Sequence, residues 1–230
     1  MFDSNHSAQS VRAFMESKSF DVVGVSVDGV PQGYVEKEKL SEGNLGASVM
    51  PFTEVTLLDE KTPLLEVLQA LAETQYVFLR FLGTPSAIVT RSDLEKAPVR
   101  MWLFGLVSIL EMELLQMIKD EGEGDWWLEL LSAGRQAGAK KVHKLRMEKK
   151  EEISLADCLQ ICDKKEIFAK TTDLFAKTGF SKDEWSSFMV DLEDLRNNLA
   201  HANEMDTGSW PKKAELVLYI EQLIRRIESA

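Results

Sequence analysis

The chain predicts an α+β N-terminal half followed by an all-α antiparallel helical bundle, and two observations carry that expectation. Laid over itself at an offset of 54 residues, the first half aligns Gly29-Val30-Pro31 with Gly83-Thr84-Pro85, Tyr34-Val35 with Ile88-Val89, and Leu40 with Leu94. Two copies of one unit are therefore present. From Pro98 onward the glycine and proline punctuation thins and apolar residues recur with a helical period. A chain of 230 residues has room for two domains with a core each, expected at 1–97 and 98–230.

In the first half, Ala8 to Ser17 reads as a helix and aligns with Thr62 to Leu71. The second of these opens with Thr62-Pro63, a cap residue followed by proline at the first helical position, and sets Leu64, Leu65, Val67, Leu68 and Leu71 on one broad face. The β-rich stretch Val22 to Val27 aligns with Tyr76 to Leu82, and Gly83-Thr84-Pro85 marks the turn to a second strand. Each copy thus reads helix, strand, turn, strand, short helix. Neither copy is large enough to bury both faces of its sheet, so the two should pack together and leave a cleft between them.

In the second half, Trp102, Leu106, Ile109, Leu110, Glu113 and Met117 share a helical spacing from Pro98 to about Asp120, where Gly122 and Gly124 break the chain. A second helix is expected from about Trp126 towards Lys150, and a third from Ser154, where Ser154-x-x-Asp157 is a capping signal. A fourth begins with the capping box Ser181-x-x-Glu184 after Gly179 and buries Trp185, Phe188, Met189, Leu192, Leu195 and Leu199. The last starts at Pro211, buries Ala214, Val217, Ile220, Leu223, Ile224 and Ile227, and carries Arg225 and Arg226 near its C-terminus. Five amphipathic helices make an antiparallel bundle the economical arrangement.

A net charge of -11 and a pI near 4.9 exclude a protein that coats nucleic acid through a bulk basic field. Cys158 and Cys162 have no nearby His or second Cys pair to complete a zinc site and read as buried small residues in a reducing compartment. The segment Met1 to Ser10 lacks the apolar core of a signal peptide, and the apolar run Met101 to Leu110, cut by Glu111 and Glu113, is too short to span a bilayer. A cytoplasmic protein with no membrane contact is expected.

The motif Ile88-Val89-Thr90-Arg91-Ser92-Asp93, set in this repeat, resembles the tandem CBS domain or Bateman module over roughly Ala8 to Ala97. That resemblance implies a cleft for an adenosine nucleotide such as AMP or ATP. Thr90 and Asp93 would hold the ribose, the backbone around Thr84 and Pro85 would meet the base, and Arg91 would reach a phosphate. In the first copy Glu36 and Lys39 stand in the places of Thr90 and Asp93, so that site is expected to be empty or altered. Thr90-x-x-Asp93 is equally an ordinary way to start a helix.

Near the C-terminus, Arg196 and His201 bracket a polar helical segment, pairing a permanent cation with a group that titrates near neutrality. The phrase Asp194-Leu195-Arg196-Asn197-Asn198-Leu199-Ala200-His201-Ala202 resembles the signature of the HEPN family, helical bundles that often dimerise and in many members cleave RNA without metal. On that resemblance Arg196, Asn197 and His201 are the catalytic residues, His201 carrying protons and Arg196 stabilising phosphorane charge. Arg196 points about 100° around the helix axis from Asn197 and about 140° from His201, so one helix offers a ridge rather than a closed pocket. A homodimer facing two ridges would supply the missing acid or base. The whole then reads as a nucleotide-regulated endoribonuclease, in the manner of a toxin or a stress or phage-defence effector, with RNA as substrate and an antitoxin or other protein as possible partner. The alternative is a non-catalytic sensing, dimerisation or scaffold protein in which Arg196 pairs with Glu193 or Glu111. The segment 135–150, with Lys140, Lys141, His143, Lys144, Arg146, Lys149 and Lys150, is the one basic island, either a grip on RNA backbone or a solvated helix face.

Overall fold

The 54-residue repeat is present in the backbone, and in the two hairpins it holds residue by residue. In the computed structural model, which describes residues 1–54, 56–201 and 210–229, the chain divides into two units, Met1–Arg91 and Ser92–Ala230. The first copy contains β1 (Phe2–Asp3), α1 (Ala8–Lys18), β2 (Val22–Val27), β3 (Val30–Glu36) and β4 (Met50–Pro51) in a sheet of order β1-β2-β3-β4. The second contains β5 (Leu57–Asp59), α2 (Leu64–Glu73), β6 (Tyr76–Phe81) and β7 (Thr84–Thr90) in a sheet of order β5-β6-β7. Both hairpins pair in the same register, Val22 with Glu36 and Tyr76 with Thr90, and both slip at the same place, between Val25 and Ser26 and between Leu79 and Arg80.

The turns match as well, but one step earlier than Gly83-Thr84-Pro85 predicts. The two-residue loops are Asp28-Gly29 and Leu82-Gly83, with φ of 50° and 79° in the first and 47° and 84° in the second. Positive φ at both positions is the type I′ geometry whose twist suits a two-residue hairpin. Thr84 and Pro85 already belong to β7. Likewise α2 begins at Leu64, with Pro63 extended at the cap position rather than inside the first turn.

Within the first copy, Ala8, Val11 and Met15 of α1 lie on one face and pack on Val23, Val25 and Val35. Where the copies meet, Val22 and Tyr34 of one sheet pack on Phe78 of the other, with Tyr76, Phe52 and Leu57 against them. The Tyr34 ring centroid lies 5.1 Å from Phe78 and 5.6 Å from Tyr76. The shared core is thus an aromatic cluster, and the cleft expected between the copies opens beside it.

The second unit holds α3 (Ala97–Glu121), α4 (Ala133–Glu148), α5 (Ile161–Lys170), α6 (Thr172–Thr178), α7 (Lys182–Ala200) and α8 (Trp210–Glu228). Among the described residues this is six α-helices rather than five. The expected second helix splits into a 3-10 turn at Trp126–Leu130 and α4, and the third into a turn at Leu155–Cys158 and the separate helices α5 and α6. The boundary falls a few residues before Ala97, because Asp93 and Glu95 reach forward to Lys96 and Arg100 and tie the 3-10 segment Arg91–Glu95 to the start of α3.

Helix α3 is central, packing on α5, α6, α7 and α8, whereas α4 rests on the Leu155–Cys158 turn and buries only Ala139. The buried face of α3 is Leu103, Val107, Leu110, Leu114 and Ile118, rotated one residue from the expected stripe and leaving Ile109 exposed. Its apolar residues run all round the helix, so periodicity alone does not choose the side that its neighbours cover. It is also the one described helix long and apolar enough to cross a bilayer by length and composition, with mean hydropathy 1.6, longer than the run Met101 to Leu110 suggested. Its buried face and the ion pairs of Glu111 commit it to the bundle. In α7 all six expected core residues are buried.

Candidate functional site

The C-terminal turns of α7 form the first candidate site. The helix starts with the expected capping box, Ser181 N–H donating to Glu184 Oε2 (2.8 Å) and Glu184 N–H to Ser181 Oγ (3.3 Å). With Leu192, Leu195 and Leu199 turned into the core, Arg196 and His201 stand exposed. Arg196 Nη1 donates to Asn197 Oδ1 (3.2 Å), and its Nε lies 3.7 Å from Glu111 Oε1. His201 terminates the helix, its backbone N–H donating to Asn197 O (3.1 Å). Asn197 therefore contacts both partners, one through its side chain and one through its backbone. Ala202, the end of the signature phrase, lies outside the described residues.

Two basic residues that the sequence did not single out support this end of α7. Arg100 Nη2 donates to the carbonyls of Asn198 (2.9 Å) and Leu199 (3.4 Å), placing a cation where the helix dipole is negative. Lys164, 3% exposed, donates through Nζ to Glu111 O (2.9 Å) and lies 3.4 Å from Glu111 Oε2. Burial presses the Lys164 pKa below its ordinary value, Glu111 opposes that, and the charge of Arg196 adds to it. One carboxylate thus stands between two cations, and it fixes the guanidinium from beneath while leaving it about half exposed. Glu111 was nameable from sequence as a partner of Arg196; Lys164 was not, because the mixed apolar and polar residues around it in α5 give no sign which way it points.

The five residues expected around a nucleotide are not gathered into one place. Thr84 and Pro85 pair with Phe81 and Arg80 at the hairpin end of β7, whereas Thr90 pairs with Tyr76 at the other end, about 20 Å away at about 3.3 Å per residue. Arg91 is taken up by the backbone, with Nε donating to Leu71 O (2.8 Å) and Thr74 O (3.1 Å) and Nη2 to Ala72 O (3.0 Å). It closes the C-terminus of α2, which is why it does not reach out for a phosphate. Asp93 Oδ1 lies 2.5 Å from Lys96 Nζ.

The cleft of the N-terminal unit holds about 500 Å³ and is lined by Asp21, Tyr34, Glu36 and Glu38 from the first copy and by Thr56, Thr74, Gln75 and Tyr76. Tyr76 Oη donates to Glu36 Oε1 (2.5 Å), and Lys39 Nζ lies 2.8 Å from Glu36 Oε2. Burial works against the Glu36 carboxylate, but the bonds from Lys39 and Tyr76 hold its pKa below the usual value. Burial, and then that same bond, push the Tyr76 phenol well above its ordinary range. The altered first copy thus contributes acidic and aromatic side chains to the cleft.

On α4, Lys140, Lys141 and Lys144 are exposed, as are Lys149 and Lys150 just beyond its end, whereas Arg146 pairs with Glu151 (2.6 Å), Arg135 with Asp163 (3.0 Å), and the His143 ring meets Ile153 O (3.1 Å). No cluster of three or more His, Cys, Asp or Glu stands close enough to share a metal ion among the described residues. Compared with family models, with curated proteins and with solved structures, the chain matches none.

Proposed function

We propose that the chain is a metal-independent endoribonuclease of the HEPN type that acts as a homodimer and is regulated through its N-terminal unit. The observation that supports it is the exposed end of α7, where Arg196 and His201 face solvent while Asn197 and Glu111 hold the guanidinium in place. In the reaction the RNA 2'-oxygen attacks the adjacent phosphorus, its proton passes to one imidazole, and the P–O5' bond breaks as a second imidazole protonates the leaving oxygen. The products are a 2',3'-cyclic phosphate and a free 5'-hydroxyl. Arg196 stabilises the charge that grows on the non-bridging oxygens, through planar paired donors. A single α7 carries one His of this kind, so the second proton carrier is His201 of another copy. Destroying RNA on a signal is the action of a toxin or of a stress or phage-defence effector.

The test is incubation of the purified full chain with mixed RNA and EDTA, followed by end-group analysis. Fragments ending in 2',3'-cyclic phosphate, lost in Arg196→Ala and in His201→Ala, are expected. Wild type cutting no better than either variant would end the enzyme reading. The Arg196–Glu111 ion pair favours one rival, a non-catalytic dimerising or scaffold bundle in which Arg196 only pairs. An adenosine nucleotide as regulator is supported by the repeat's resemblance alone, and a melting-temperature rise with AMP or ATP tests it.

A further inference from the structure

The cleft between the two copies of the N-terminal unit points to a ligand class of its own, and the inference does not depend on the ribonuclease reading. We propose that this cleft binds an organic ammonium ion, best a diamine or polyamine with separated charged nitrogens. A volume of about 500 Å³ is that of a small-molecule site. Its lining contains three carboxylates, Asp21, Glu36 and Glu38, and no Lys, Arg or His.

Three of the four hydroxyl groups in the lining have their hydrogens directed elsewhere. Tyr76 Oη donates to Glu36 Oε1. Thr74 Oγ1 donates towards the backbone carbonyls of Ala70 (2.8 Å) and Tyr76 (3.0 Å), and Thr56 Oγ1 towards Thr53 O (3.4 Å). What these groups have left to offer is lone pairs. A cleft so rich in acceptors, with the Gln75 amide as its nitrogen donor among the lining side chains, favours a ligand rich in donors, and a primary ammonium has three and no acceptor. The rings of Tyr34 and Tyr76 meet at 76° beside the carboxylates, the kind of aromatic corner that attracts a cation.

The same features act against a nucleotide. Phosphates would face three carboxylates with no cationic side chain in the lining to receive them. Lys37 and Lys39 do not change this, since they pair with Asp21 (2.8 Å) and Glu36 (2.8 Å) from outside the lining, in partly exposed ion pairs that contribute little stability and yield readily. Glu38 has no ion pair among the described residues. The carboxylates are also too dispersed to form a metal cluster among the described residues, so the geometry suits nitrogens spaced along a chain rather than one compact ion.

The experiment is calorimetric titration of the full chain at near-physiological salt with putrescine and spermidine, alongside magnesium and ATP at matched ionic strength. One saturable amine site is expected, weakened tenfold or more in Glu36→Gln and in Asp21→Asn and unchanged in Glu148→Gln on the exposed face of α4. Melting curves of each variant check that it is folded. The proposal is overturned by absence of saturable amine binding, by equal weakening in Glu148→Gln, by magnesium binding with the same Glu36 dependence, or by ATP binding that Glu36→Gln abolishes.

Discussion

Leu82 holds the left-handed conformation that its counterpart Asp28 also adopts, yet it is a bulky residue without the local hydrogen bonding that makes Asn and Asp tolerate it. Replacing it by asparagine keeps the turn and removes the steric cost. Leu82→Asn is therefore expected to stabilise the N-terminal unit by about 1 kcal/mol, read as a higher urea midpoint. A second residue-scale prediction concerns Glu111, which neutralises the buried Lys164. Glu111→Ala leaves that ammonium buried and should cost about 3 kcal/mol, whereas Glu111→Leu combined with Lys164→Met should cost far less, because no lone charge stays inside. Chemical denaturation of the single and double variants separates these outcomes. The double variant also frees Arg196 from its support, so RNA cleavage should fall in it even though folding is restored.

Among the elements, the short turn Leu155–Cys158 is held by Asp157, which accepts from Ser154 N–H (2.8 Å) and Oγ (2.7 Å) and pairs with Lys119 of α3 (2.6 Å). Burial disfavours its carboxylate, but the bonds from Lys119 and Ser154 outweigh that and hold its pKa at about 2, against 3.8 ordinarily. A carboxylate with a depressed folded-state pKa contributes stability above its unfolded value and loses it as pH falls through the folded one. Wild type should thus lose stability between about pH 4 and pH 2, and Asp157→Asn should show a shallower loss in that window, measured by melts across the range. At the end of α6, Gly179 has φ 74° and the Arg226 guanidinium lies where a Cβ would sit, on its way to Thr178 O (3.1 Å). Gly179→Ala should lower the melting temperature clearly, by strain and by expelling Arg226. These two sites also show what sequence can tell. Ser154-x-x-Asp157 and the glycine before α7 were legible because caps and positive φ demand particular residue types. The tandem unit was legible down to its 54-residue offset, since an internal repeat checks itself. The two-residue strands β1 and β4 carry too few residues for a period, and the buried side of α3 depended on neighbours far along the chain. Arg91 was misread because a guanidinium aimed at carbonyls and one aimed at phosphate look the same in a motif.

For the molecule as a whole, a net charge of -11 means that the RNA substrate proposed above would have to be gripped locally, and the exposed lysines of α4 are the candidate place for that grip. Lys140→Glu with Lys144→Glu should weaken RNA binding at all sequences and flatten its salt dependence by about one unit of slope per lost phosphate contact, with melting unchanged. Unaltered binding would mean that RNA approaches from another side. The two copies of the N-terminal unit show a division of labour with a longer reach. Lys37 and Arg91 are equivalent positions, and each donates its backbone N–H to the matching carbonyl, Asp21 O (2.8 Å) and Gln75 O (3.2 Å). One of the two side chains went to the rim of a cleft, and the other locked a helix end. A duplicated fold can drift in this way because each half tolerates loss of a site that the other keeps. With Arg91 committed to a helix end and Lys37 at the rim of the cleft, new ligand preferences in such a protein should arise by substitutions around Glu36 rather than around Thr90.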